Sequence, residues 1–187
     1  MHMLTHTVRR APLLLAVLTA ACSHDPSATS PGNDDSPAPL TDARRSAVAH
    51  EAQAVAKRIL DYSNQIDFAR AMQDYSSDPD ARYVENGVLF PSLDALKKEY
   101  DELGPTLEVL ENVPDAYDVT VLGPEAAVVT VPVHLRIKAK GRPELKNHPY
   151  VWSVVVQRRN GRWQAVQTHE SHVDYEKLVE ALTPPAK

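Results

Sequence analysis

The chain has 187 residues, 43% of them hydrophobic and 24% charged. One core typically serves about 100–200 residues, so there is room for one ordinary domain and a tail. That balance excludes a wholly disordered, collagenous or multi-span membrane protein, and a formal charge of −5 excludes the broad basic field that holds nucleic acid through its phosphates.

The chain opens with Arg9 and Arg10, then the small and apolar run from Ala11 to Ala21, with no acidic residue before Asp25. This is the layout of a secretory signal. The run is 11 residues long, whereas a membrane span needs roughly 20, so it reads as a signal core and not as a transmembrane helix. It ends in Leu18-Thr19-Ala20-Ala21-Cys22, which resembles the bacterial lipoprotein signal, where small residues precede a Cys that is acylated and becomes the mature N-terminus. The resemblance implies a signal over residues 1–21, a lipid on Cys22, and a protein anchored to a membrane of the bacterial cell envelope, on its periplasmic or surface face. Thr19 stands where that pattern more often has Leu. An ordinary signal peptide, with Cys22 incidental, is the alternative reading.

Cys22 is the only cysteine, so the mature domain has no intramolecular disulfide and depends on its core for stability. Removal of residues 1–21 leaves 18 basic and 25 acidic side chains, a charge of −7, which suits a tethered body better than one adsorbed on anionic headgroups. Residues 22–41 are rich in Ser, Pro and Asp and read as a flexible linker. The folded domain is expected over residues 42–187.

From Thr41 or Asp42 as cap, Val48, Ala52, Val55, Ile59, Tyr62 and Ile66 recur at alternating spacings of four and three, the apolar stripe of a helix laid on a sheet. A shorter helix carries Phe68, Met72 and Tyr75 and breaks at Ser77-Asp78-Pro79-Asp80. Asn86-Gly87 between two short apolar runs predicts a tight hairpin. Ser92 caps a third helix carrying Leu93, Leu96, Tyr100 and Leu103, which Gly104-Pro105 stops. Strands follow over 106–113, 117–122, 126–139, 150–158 and 162–171, with 123–125, 141–149 and 159–161 as connections. Ala127, Val129, Val131, Val133, Leu135 and Ile137 form the core face of the longest strand, with His134 and Arg136 on its other face. A helix from Asp174 to Leu182 closes the chain. Helices first and a meandering antiparallel sheet afterwards predict an α+β domain.

That order of elements, with a last strand reading Gly161, Trp163, His169 and Ser171, resembles the nuclear transport factor 2-like superfamily and within it the SnoaL-like branch. The likeness covers residues 42–173, and its specific part is the last strand. It implies a curved antiparallel sheet wrapped around the N-terminal helices, forming a cone that opens on a pocket. It also implies a homodimer through the outer sheet face. Members include isomerases, dehydratases, cyclases and binding modules, so fold leaves function open.

Alternation along the last strand sets Trp163, Ala165, Gln167, His169 and Ser171 on one side. If that side faces the cone, the pocket runs from apolar depth to a polar mouth, with Tyr62, Tyr83, Tyr100 and Trp152 completing its wall. His169 is then the candidate general acid or base. On this alternation the inward strand positions carry no carboxylate, and the bland reading pairs His169 with Ser171 to pin the sheet. The function expected first is therefore binding of a small apolar or amphipathic ligand, or of a partner protein, without turnover. An isomerase, dehydratase or cyclase using His169 and a structural dimerisation module are the alternatives. No metal-ligand spacing, nucleophile elbow or phosphate-cradling loop is present, so neither metal nor cofactor is expected.

Overall fold

In the computed structural model, which describes residues 39–183, the first element is a 23-residue helix, α1 (Asp42–Asn64), whose start is fixed by the Thr41 side chain accepting from the Arg44 N–H. The signal, Cys22 and nearly all of the linker lie outside the described residues. Val48, Ala52, Val55 and Ile59 are buried, joined by Ala56 and Leu60. Tyr62 and Ile66, expected to continue the stripe, are only half-buried. The helix ends at Asn64, and Ile66 sits at a φ of 55°, a left-handed conformation that no right-handed helix continues through.

A short helix, α2 (Phe68–Ala71), runs into a tighter turn over Met72–Asp74. The buried Asp74 accepts from Arg58 at 3.0 and 2.7 Å, which ties this turn to α1. Strands β1 (Arg82–Glu85) and β2 (Val88–Phe90) form the expected hairpin. Asn86 and Gly87 have φ of 51° and 75°, the pair of positive values that matches a two-residue turn to the twist of its strands. Helix α3 (Leu93–Leu103) starts at Ser92, whose hydroxyl accepts from Ala95 N–H. Gly104 does not turn left-handed to stop it; the chain continues helically through Thr106. A Cβ there would lie 3.3 Å from Phe68 Cδ2, a tight contact that the Phe68 ring would have to yield to by a few tenths of an ångström.

Five longer strands follow, β3 (Leu107–Pro114), β4 (Asp118–Gly123), β5 (Ala126–Ala139), β6 (Leu145–Arg159) and β7 (Arg162–His172). The sheet order is β2-β1-β7-β6-β5-β3, with β4 pairing the other end of the same β5 edge. Pairing is antiparallel except between β1 and β7. The alternating β5 residues from Ala127 to Ile137 are all buried, as predicted. They pack beneath α1, and each such buried valine or isoleucine contributes roughly 1.5–3 kcal/mol of transfer free energy. Helix α4 (Tyr175–Leu182) starts at Asp174, which accepts from Lys177 N–H at 3.3 Å.

Two strand expectations need correction. Residues 141–149 are not all connection, because β6 begins at Leu145. Its pairing with β5 slips between Leu135 and Ile137, and Asn147 takes a φ of 51°. The slip leaves an extra residue at Lys146-Asn147, while Pro149 pairs with His134 and His148 is buried in the same alternation as Tyr150 and Trp152. In β7, Val155 pairs with Gln167 but Val156 pairs with Ala165, so Val166 is an extra residue. The buried positions Ala165 and Thr168 are therefore three apart, and every side chain beyond the bulge changes face.

Candidate functional site

The concave side of the sheet, the C-terminal half of α1, and helices α3 and α4 enclose a cavity of about 90 Å³. Ile59 and Leu60 of α1, Phe68 and Leu107 make its apolar floor, Trp152 and Tyr150 of β6 its sheet wall, and Leu178 and Leu182 of α4 one flank. Glu85, Tyr100 and Leu103 also line a neighbouring outer hollow of about 360 Å³, together with Val88, Phe90 and Tyr175.

One end of the cavity is acidic. Glu85, at the end of β1, is 4% exposed, and the Tyr100 hydroxyl donates to its carboxylate. Burial first and the neighbouring Glu170 second push the Glu85 carboxyl up to about 8, with the Tyr100 hydrogen bond pulling the other way. Glu170 of β7 is pushed up to about 7 by burial. Its side chain keeps 16% exposure, and it forms part of the cavity lining. The two carboxyls feel each other's charge and titrate as a pair, and between about pH 7 and about pH 8 the pair holds about one proton, giving one acid and one base in the same chamber. Tyr75, Tyr100 and Tyr150 are held well above the usual phenol range, by burial and then by the two carboxyls. His172 Nε2 lies 3.4 Å from Glu170 Oε2, its ring stacks on Tyr150 at 4.8 Å and on His148 at 5.5 Å, and burial holds it below the usual imidazole range.

The other end is an amide cluster. Asn64, at the end of α1, accepts from the Asn112 N–H at 2.7 Å and from its side-chain amide at 2.9 Å, and donates to Asn112 O at 3.1 Å. Tyr150 donates to Asn112 Oδ1 at 2.7 Å. These bonds fasten α1 to β3 and satisfy the buried Asn112, the usual condition for a polar group inside.

Of the residues singled out from sequence, Tyr100 and Trp152 line the cavity. Tyr83 is fully buried beside it, its hydroxyl donating to Ser76 O. Tyr62 lies half-buried with the Arg70 guanidinium 5.8 Å from its ring centre. Gln167, His169 and Ser171 are exposed on the outer face, where His169 Nε2 is 3.2 Å from Ser171 Oγ. The bulge at Val166 is the reason: it reverses the alternation that Trp163 and Ala165 begin, so Thr168, Glu170 and His172 face inward instead. His134 and Arg136 are on the outer face as expected, beside Asp115 and beside Glu111 and Glu144. The expectation of no inward carboxylate fails at Glu85 and Glu170, and Tyr75, Tyr150 and His172 were also missed. Pairing counted back from the Asn160-Gly161 turn sets His169 opposite the inward Trp152, and the extra residue in β7 makes that partner Glu170 instead.

Among the described residues, no group of three or more His, Cys, Asp or Glu is placed to hold a metal ion, and no helix is long and apolar enough to cross a membrane.

No protein-family model matches the chain in sequence, and no curated protein does. Solved structures match it in shape. A nuclear transport factor 2-like superfamily protein from Salmonella enterica serovar Typhimurium is 20% identical, with a TM-score of 0.62 over 68% of this chain and 92% of that one. A hexachlorocyclohexane dehydrochlorinase from Novosphingobium barchaimii is 12% identical, with a TM-score of 0.62 over 72% and 92%. A ketosteroid isomerase-like protein from Erwinia carotovora atroseptica is 16% identical, with a TM-score of 0.59 over 67% and 96%. The chain has the nuclear transport factor 2-like fold, with helices against one face of an open, curved, largely antiparallel sheet. At these identities the likeness is one of fold, and the chemistry has to be argued from the cavity.

Proposed function

We propose that the cavity is an acid–base site of isomerase or lyase type that moves a proton on a small, largely apolar substrate. The observation that carries this is the pair Glu85 and Glu170, both set in the cavity wall and both raised toward neutrality. Carboxyls with those values supply an acid and a base at working pH. Glu170, the lower of the two, is the base; Glu85, held by Tyr100, is the acid. That some proteins of this fold carry dehydrochlorinase or isomerase-like descriptions fits the reading. Binding without turnover is the second reading, favoured by the cavity's small size.

The test is exchange of substrate C–H for solvent deuterium, followed by NMR over a panel of small cyclic carbon acids, some neutral and some carrying an amine. The wild type is expected to exchange at least one of them, and Glu170→Gln to lose about a hundredfold in rate. Exchange unaffected by Glu170→Gln and Glu85→Gln, or absent throughout the panel, overturns the catalytic reading.

The placement of the protein is part of the same proposal. A lipid on Cys22 tethers the domain to a membrane of the cell envelope through the linker. The outer sheet face around His134 and Arg136 serves as a homodimer surface. A Cys22→Ser variant should lose labelled fatty acid and leave the membrane fraction, and light scattering of the soluble domain should give twice the chain mass.

A further inference from the structure

The polar groups of the cavity are unbalanced in one direction. Among the described residues, its lining contains two carboxyls and no Lys or Arg. The protons that Tyr100 and Tyr150 can donate are already directed at Glu85 and at Asn112. His172, whose side chain is 5% exposed, also lines the cavity; with Nε2 donating to Glu170, its Nδ1 is left an acceptor, and among the described residues no partner meets it. What the chamber lacks is a donor of N–H bonds with a positive charge. Besides its aliphatic side chains, Ser63 and Asn86, the lining carries five aromatic rings, Phe68 and Tyr100 packed at 4.6 Å between centroids, with Tyr75, Tyr150 and Trp152. Ring faces attract cations, by roughly 2 kcal/mol or more where water is excluded.

We propose that the chamber admits a small organic cation, an ammonium group on an apolar ring or short chain, with the charge seated between Glu85, Glu170 and His172 and the apolar part against Tyr75, Tyr100 and Trp152. An anionic ligand would meet two carboxyls with no cation to offset them. A neutral ligand would leave a buried carboxylate unpaired whenever the pair loses a proton. This inference concerns what enters the chamber, and it rests on the reading that the chamber is the functional site.

The cation and the protons of the pair compete. Below both values the carboxyls are neutral and attract the ammonium weakly; as pH rises through about 7 and about 8 the charge appears and affinity rises. The other titratable and charged groups facing the pair are Glu99 and Tyr100 of α3, Tyr75 before β1, Tyr150 of β6 and His172 of β7. Behind His172 is His148, which feels Asp174 and Lys177 of the α4 end. His172 and His148 are both held below their usual range, so they stay neutral over this interval and the sign belongs to the carboxyls.

The experiment is calorimetric titration of the full-length protein with benzylamine and benzyl alcohol, which share the ring and methylene and differ in carrying an ammonium or a neutral hydroxyl. Near pH 8, benzylamine should bind about tenfold or more tighter than the alcohol. It should release protons, seen as a heat that changes with the buffer, and its affinity should fall about tenfold by pH 6 as the pair is protonated. Glu170→Gln and Glu85→Gln should each shrink the preference for the amine. Equal affinities for the two probes, no binding of benzylamine, a pH-independent affinity, or a preference that survives in both variants overturns the proposal. Deuterium exchange retained on neutral substrates alongside equal affinities sinks the cation and leaves the acid–base reading standing. Tight, pH-dependent amine binding with no exchange does the reverse.

Discussion

The two faces of β7 after its bulge carry similar residue types and have opposite fates. His169 and Ser171 are exposed and bond to each other at 3.2 Å, with water able to replace either partner. Glu170 and His172, one residue further along each time, form part of the cavity lining, where burial moves their proton equilibria. The difference is in the surroundings and not in the side chains. An exposed histidine is common on any surface, whereas two carboxyls forced toward neutrality need a low-dielectric site and a like-charged neighbour.

The largest effect that would break this comparison is on packing. Trp152→Ala, beside Glu170 on the sheet wall of the cavity, should cost about 3–5 kcal/mol in denaturant unfolding, whereas Val151→Ala, one residue away on the outer face, should cost under about 1 kcal/mol. Similar losses would mean that the outer face is covered in solution. Next comes activity. Once a substrate is found, Glu85→Gln should lower turnover about a hundredfold, while His169→Ala stays within about threefold, and the pH profile should be a bell with limbs near 7 and 8. A large loss in His169→Ala would return the chemistry to the outer face.

A third test uses stability. Glu85 has its folded-state value raised from 4.5 to about 8, so the stability it contributes is fully present below about pH 4.5 and is lost as pH rises toward 8. Glu85→Gln removes that loss. Its melting temperature should exceed the wild type's by roughly 5 °C near pH 8, at a few degrees per kcal/mol for a domain this size, and should match it near pH 4. A variant less stable at both pH values would mean that Glu85 is held as a paired ion and not as a displaced acid. The smallest effect is that of Tyr100→Phe. Loss of the hydroxyl that lowers the Glu85 value should move the basic limb of the activity profile upward by less than about one unit, and a downward move would contradict the assigned direction.

The candidate site was legible only in part. Tyr100 and Trp152 lie on regular elements whose period holds to the end, an amphipathic helix capped by Ser92 and a strand alternating from Tyr150 to Val156, and both reach the cavity. Glu85 is the inward partner of Tyr83 in a strand of only four residues, too short for its alternation to speak. Glu170 and His172 follow an extra residue that no residue type in Gln164-Ala165-Val166-Gln167 marks.

The sequence by itself determined the helix starts, through the Thr41, Ser92 and Asp174 side chains that accept from first-turn N–H groups. It determined the hairpin turn at Asn86-Gly87 and the core face of β5 as well, because each of these is decided by neighbours within a few residues in the chain. Which face of β7 looks into the cavity was decided by its pairing with β6, where Val154 meets Thr168 and Val156 meets Ala165. That register, together with the meeting of Glu85 and Glu170 from strands about 80 residues apart, depends on contacts across the sheet, and periodicity along one strand carries no information about an insertion that only the neighbouring strand reveals.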